Sequence, residues 1–288
     1  MKLRATLLGI VLMGQSALAA DDRFAGVEVK TQQLTDHVYM LTGAGGNIGV
    51  SFGPDGLLMI DDQFAPMADK IRKAIGDIGA ASPVWLLNTH YHGDHTGGNE
   101  NFGASSIIMA HDNVRVRLLD GEPPTAAQGL PVITFNDEAS VHFNNEDIRL
   151  IHMPAGHTDG DSYVYFTLSD VLHMGDHFFK DRFPYVDLDA GGSVEGVMLG
   201  VQKALAMISK NTQIIPGHGS LANTEDLISY LDMLNQTSLI VKTAIDSGKS
   251  VEEIVEEGLG ATWTTWGSGF ISEERWIRTL YRNYTEQA

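Results

Sequence analysis

The sequence predicts an α+β domain in which two β-sheets pack together with helices outside. Strand-like segments lead into a helix, and the same order then repeats. No internal repeat, low-complexity tract or Pro/Ser-rich linker interrupts the chain, so residues 20–288 read as one continuous domain. With 288 residues, 43% of them hydrophobic, the chain has ample apolar surface for a packed core and is a poor candidate for disorder.

Alternating stretches at residues 27–32, 37–42 and 47–52 predict antiparallel strands. Gly43-Ala44-Gly45-Gly46 forms a flexible hairpin tip between the last two, and Pro54-Asp55-Gly56 the next turn. Residues 57–60 read as a buried strand, 65–78 as a helix and 84–87 as an apolar strand. A short strand at 106–110, a helix at 112–119 and a loop at 123–131 complete the first half. The second half opens with strands at 140–143, 148–152, 162–167 and 171–174. A helix at 194–209 follows, and a strand at 213–215 ends in Pro216-Gly217-His218-Gly219. Helices at 223–247, 251–257 and 272–284 close the chain, with Trp263, Trp266 and Trp276 packing among them.

The first residues read as a secretory signal. Lys2 and Arg4 form the charged start, residues 5–13 an apolar stretch too short to span a bilayer of ~30 Å, and Ala17-Leu18-Ala19 a small-x-small cleavage site. The reading is therefore a signal peptide at 1–19 and a periplasmic or secreted protein without a stable membrane anchor. The formal charge of −18 becomes more negative still once Lys2 and Arg4 are removed. Nucleic acid is excluded as a partner on this ground, since phosphate binding depends on clustered Lys and Arg. There is no cysteine, hence no disulfide and no thiolate ligand, so any metal must be held by N and O donors.

Such donors cluster in Thr89-His90-Tyr91-His92-Gly93-Asp94-His95-Thr96. His90 and His92 are two apart and point to one side of an extended segment, while Asp94 and His95 follow in a tight turn beside Gly93. Imidazole and carboxylate suit a divalent borderline ion such as zinc. Four ligands within six residues serve two ions with less strain than one, which predicts a dinuclear site. Three later loops each offer one more donor with glycine beside it: His157 in Ala155-Gly156-His157-Thr158, Asp176 in Met174-Gly175-Asp176-His177, and His218. All fall at expected strand ends, where open α/β sheets place their chemistry.

This pattern, His-x-His-x-Asp-His followed by a His, an Asp and a His on later loops, closely resembles the metallo-β-lactamase superfamily over essentially the whole mature chain. The resemblance implies a four-layer αβ/βα sandwich of two mixed β-sheets flanked by helices. It implies further that His90, His92 and His157 hold one ion, that Asp94, His95 and His218 hold the other, and that Asp176 bridges them. Two Zn2+ per chain are expected, with iron or manganese as alternatives. Three protein ligands per ion plus an open position is the pattern of a catalytic zinc.

The expected function is an exported hydrolase that cleaves an ester, lactone, thioester or β-lactam bond of a small molecule with a metal-bridging hydroxide, Asp94 also accepting a proton. Asp176 stands where the best-known zinc β-lactamases carry Cys or Ser, and is similar to the pattern of glyoxalase II, lactonases and related esterases. The C-terminal third departs from glyoxalase II in lacking the basic residues that hold glutathione there. No Gly-x-Ser-x-Gly elbow suggests a serine hydrolase. Two rival readings are a mononuclear iron persulfide dioxygenase of the same superfamily and a non-catalytic periplasmic metal-binding protein. The spread of ligands over four segments disfavours the second.

The run Phe178-Phe179-Lys180-Asp181-Arg182-Phe183-Pro184-Tyr185 mixes aromatic and basic side chains and reads as a substrate wall. Lys180 or Arg182 would pair with a substrate carboxylate, and Phe183 and Tyr185 would cover an apolar ring. Asp61 and Asp62 are candidates to accept a hydrogen bond from a ligating imidazole. Ser193 reads as a helix N-cap. His177 is open between orienting substrate and an ordinary loop role.

Overall fold

In the computed structural model, which describes residues 22–286, the alternating segments form two-faced strands. The signal peptide expected at 1–19 lies outside the described residues. The first sheet runs, in spatial order, β1 (Lys30–Gln33), β2 (Val38–Thr42), β3 (Ile48–Gly53), β4 (Gly56–Ile60), β5 (Pro83–Leu87), β6 (Ile107–His111) and β7 (Ile133–Phe135). Its strands pair antiparallel as far as β4 and parallel from β4 to β7. The second sheet comprises β8 (Glu138–Phe143), β9 (Glu146–His152), β10 (Ser162–Phe166), β11 (Val171–His173) and β12 (Gln213–Ile215), antiparallel except for the parallel β11–β12 pair. The helices are α1 (Asp22–Ala25), α2 (Ala68–Asp77), α3 (Gly93–Thr96), α4 (Asn99–Phe102), α5 (Asp112–Asp120), α6 (Val194–Met207), α7 (Thr224–Asp246), α8 (Val251–Glu257) and α9 (Glu273–Glu286).

The two-residue period of the strands builds the layers. On β2 and β4, Val38, Met40, Leu58 and Ile60 point into one buried cluster with Ile148, Leu150, Val164 and Phe166 of the second sheet. The alternate residues Leu41, Leu57 and Met59 face the other way, against Ala68, Ile71 and Ile75 of α2. On the second sheet, Ile151, Tyr163, Leu172 and Ile214 pack outward against α6, α7 and α9 through Val197, Val201, Tyr230 and Trp276. The result is a helix–sheet–sheet–helix sandwich of mixed sheets, the architecture the sequence implied.

Three local differences from the sequence reading have physical causes. The first strand starts at Lys30 rather than 27, because the carbonyls of Phe24, Ala25 and Val27 accept from the Lys70 ammonium instead of joining a ladder. Strand β7 follows the loop expected at 123–131, in a stretch where the sequence predicts no element, because its three residues are too few for a periodic signal. Asp94 and His95, expected in a tight turn, sit on the single-turn helix α3. The Ser193 side chain caps α6 by accepting from the Gly196 N–H at 2.9 Å, as expected. No helix among the described residues is long and apolar enough to cross a membrane.

Candidate metal centre

The apolar strand β5 delivers residues 88–92 to one end of the sandwich. His157 lies between β9 and β10, Asp176 follows β11 and His218 follows β12. The loop carrying His218 is tied across to the first sheet by Asn47, whose side-chain amide donates to the carbonyls of Pro216 (2.8 Å) and Gly219 (2.9 Å). Close approach demands glycine at two of these positions. A Cβ at Gly217 would lie 2.0 Å from Asp176 Oδ1, and one at Gly46 2.1 Å from His95 Cε1.

The seven expected ligands converge as two groups, His90, His92, His157 and Asp176 in one and Asp94, His95 and His218 in the other, the donor atoms within each lying inside 4.8 Å. In the first group His92 Nδ1 lies 3.1 Å from His90 Nε2 and 2.8 Å from His157 Nε2. The far nitrogen of each ring is engaged elsewhere: His90 Nδ1 with the Thr89 hydroxyl at 3.0 Å, His92 Nε2 with Asp187 Oδ2 at 3.0 Å, and His157 Nδ1 with the Tyr185 carbonyl at 2.7 Å. Because Thr89 Oγ1 donates to Asp61, it accepts from His90. Those bonds consume the ring N–H groups and turn three lone pairs toward one another, an arrangement that calls for a cation between them.

Asp176 joins the groups. Its Oδ2 lies 3.6 Å from His157 Nε2, 3.9 Å from His90 Nε2 and 3.4 Å from His218 Nε2, while Oδ1 is 3.0 Å from His95 Nε2. Asp176 Oδ1 and His95 Nε2 are both buried, with each other as ion-pair partner but without well-formed hydrogen-bond geometry. Orphaned buried donors and acceptors are costly, and a bound divalent ion satisfies them. The residues fit the metal.

Electrostatics differ between the groups. Burial pushes the His157 imidazole down to about 4 and holds His90 well below its usual value, so both rings are neutral ligands. Burial also opposes the charge on His218, but Asp176 and Asp94 outweigh it and push the ring up to about 9. His95 is raised in the same way by Asp176, Asp94 and Asp61 against its burial. Asp94, despite burial, is held below the usual carboxylate range by His95 and His218.

A cleft of about 490 Å3 opens over the centre, walled by Phe64, Phe179, Arg182, Tyr185, Phe270 and Ile271. Of the four substrate residues expected from sequence, Arg182 and Tyr185 line it. Lys180 does not: its ammonium is held by Asp226 Oδ2 at 2.9 Å and the Leu221 carbonyl at 3.0 Å. Phe183 touches the cleft but is 1% exposed and stacks on Trp276 with ring centroids 5.9 Å apart, so it packs the core. Phe64, Phe270 and Ile271 carried no local signal. Asp61 accepts from His95 as expected, at 2.7 Å, whereas Asp62 accepts from the Gly98 N–H instead. His177 faces away from the cleft, between Asp161 and Tyr163.

A family model described as the metallo-beta-lactamase superfamily matches residues 42–218. A hydroxyacylglutathione hydrolase of Pelagibacter ubique is 28% identical over 210 residues, covering 70% of this chain and 75% of the relative. A hydroxyacylglutathione hydrolase of Rhodospirillum rubrum is 37% identical over 99 residues, 33% of this chain and 34% of the relative. Among solved structures, a metallo-beta-lactamase from Pontibacter korlensis superposes with a TM-score of 0.63 at 16% identity, covering 72% of this chain and 99% of that one. A stereoselective inverting sec-alkylsulfatase from Pseudomonas sp. gives a TM-score of 0.72 at 14% identity, covering 89% and 50%. At these identities the structural likenesses establish the fold alone.

Proposed function

The chain belongs to the metallo-beta-lactamase superfamily, and from that premise we propose that it is a dinuclear zinc hydrolase of small acyl compounds, cleaving an ester, thioester, lactone or related bond. That it is a metal-dependent hydrolase follows from the family and from relatives named hydroxyacylglutathione hydrolase. The observation that carries the dinuclear reading is Asp176, whose carboxylate lies within 4 Å of ring nitrogens from both ligand groups.

His90, His92 and His157 would hold one ion, Asp94, His95 and His218 the other, and Asp176 would touch both. Bound there, divalent ions supply Lewis acidity that activates water and polarises a carbonyl at neutral pH. The protein's own part is orientation. Thr89, Asp187, the Tyr185 carbonyl and Asp61 fix the rings of His90, His92, His157 and His95, so that each presents its lone pair inward. Asp94 borders the cleft as an ionised carboxylate and is placed to accept a proton from the attacking water. The leaving alkoxide or thiolate takes up a proton in turn, which closes the balance of a hydrolysis. Phe64 and Phe179 give the cleft apolar walls beside the centre.

The complete second group favours this reading over a one-iron dioxygenase, which needs only part of the set. Steady-state assays of zinc-loaded protein on ester, thioester, lactone and β-lactam panels test it. Metal-dependent turnover of at least one class supports the proposal, and none on any class overturns it. Export belongs to the proposal too, on the strength of Lys2, Arg4, the apolar stretch and Ala17-Leu18-Ala19. Intact mass of the protein from its native compartment tests that part.

A further inference from the structure

Resting on the hydrolase reading of this same centre, we propose that the cleft selects substrates with one bulky apolar group and a single negative charge, and that it disfavours glutathione conjugates. The apolar half of the argument is the wall. Phe270 is 75% exposed yet lines the cleft with Ile271 and Phe64. A large aromatic ring left in water at a cleft mouth gains about 25 cal/mol per Å2 when a ligand covers it. The ring is also held in place, since the Arg275 guanidinium carbon stands 4.6 Å from its centroid and Arg275 Nη1 donates to the Phe270 carbonyl at 3.3 Å. Phe270 and Ile271 belong to the C-terminal segment, beyond the residues 42–218 that match the family. This part of the wall therefore lies outside the segment that carries the metal ligands.

The charged half is Arg182, the one Lys or Arg among the described residues lining the cleft. Its Nε donates to the Lys180 carbonyl at 3.2 Å, and it forms no ion pair among the described residues, in a chain with 37 acidic side chains. By contrast Lys180 is neutralised by Asp226, and Arg282 by Asp189 and Glu286. Gly269 packs against the aliphatic stem of Arg182, a Cβ there lying 3.2 Å from Arg182 Cβ, so the segment carrying Phe270 rests on Arg182 and both residues line one cleft. The carboxylates and imidazoles of the cleft belong to the metal centre, leaving one cation for a substrate anion. A glutathione conjugate brings two carboxylates and an ammonium, of which this cleft matches one. Its volume, about 490 Å3, suits a compact ligand.

Calorimetric binding of non-hydrolysable thioethers to the zinc-loaded protein tests the inference. S-phenethyl mercaptoacetate should bind about tenfold or more tighter than the neutral alcohol 2-(phenethylthio)ethanol, the margin of a charge-assisted hydrogen bond. Arg182→Gln should bring the two within about twofold of each other, and Phe270→Ala should weaken both several-fold. Equal affinities in the wild type would overturn the inference. So would an anion preference that survives Arg182→Gln, which would place the carboxylate on the metal ions, or tighter binding of S-phenethyl glutathione. Turnover of S-phenylacetyl mercaptoacetate is measured in parallel. Selective binding with no turnover of this thioester or of any ester, lactone or β-lactam panel sinks the hydrolase reading alone, and turnover without selectivity sinks this inference alone.

Discussion

Asp61 holds the ring of His95: its Oδ2 lies 2.7 Å from His95 Nδ1, while the backbone N–H and the hydroxyl of Thr89 donate to the same carboxylate at 2.8 and 2.7 Å. Asp61 sits at φ 61°, a left-handed conformation that Asp and Asn tolerate better than most residues. Asp61→Asn therefore keeps the backbone while removing the charge that steadies the ligand. Zinc affinity, read by chelator competition, should fall roughly 10- to 100-fold. Both zinc constants staying within about twofold of wild type would show that this carboxylate does not position His95.

The two ligand groups should part with pH. His157, with its ring pushed down to about 4, has no proton to lose in the neutral range, whereas His218, pushed up to about 9, must release one before its nitrogen can bind metal. Acidification should thus weaken loading of the Asp94, His95 and His218 group first, by up to about tenfold per pH unit for each ring proton that must be displaced. In the metal-free protein the sign is opposite. A ring raised above the usual 6.5 contributes stability that is complete below 6.5 and is lost as pH rises through about 9. Zinc titrations at pH 6 and 8 check the first statement. Parallel loss of both ions on acidification would refute it.

The ligands were legible because their chemistry is local: His90 to His95 sit in one short run, and His157, Asp176 and His218 each stand beside a glycine at a strand end. Layering was legible for the same reason, since the alternation of Leu57, Leu58, Met59 and Ile60 already separates two faces. What escaped was set by contacts between distant segments. Asp187 reaches His92 across 95 positions and Asp226 reaches Lys180 across 46, so neither partner is visible from spacing. Phe64 and Phe270 meet in one cleft only once the sandwich has closed.

Phe183 illustrates the cost of reading a run by composition. Buried against Trp276, it should behave as a core residue: Phe183→Ala should lower unfolding free energy by about 3–5 kcal/mol in urea. A loss under ~1 kcal/mol, coupled to a raised KM, would return it to the substrate wall.

Asp161 is buried with His177 at 2.8 Å and accepts from the Thr158 N–H at 2.9 Å, linking the loop of His157 to that of Asp176. Burial opposes its charge, yet His177 outweighs burial and holds the carboxyl below the usual value of 3.8. The stability it contributes is complete above that value and is lost as pH falls through the depressed one. Asp161→Ala breaks a buried pair and should cost about 3–5 kcal/mol near neutrality. Denaturant midpoints and slopes of the metal-free proteins measure this, and an unchanged midpoint would contradict it.

The central claim is that two ligand groups meet at Asp176 to hold two ions. Elemental analysis of the carefully reconstituted wild-type protein tests it most directly. About two zinc ions per chain are predicted, because the donors divide into two groups with a shared carboxylate. One tightly held iron with no second metal would contradict the account.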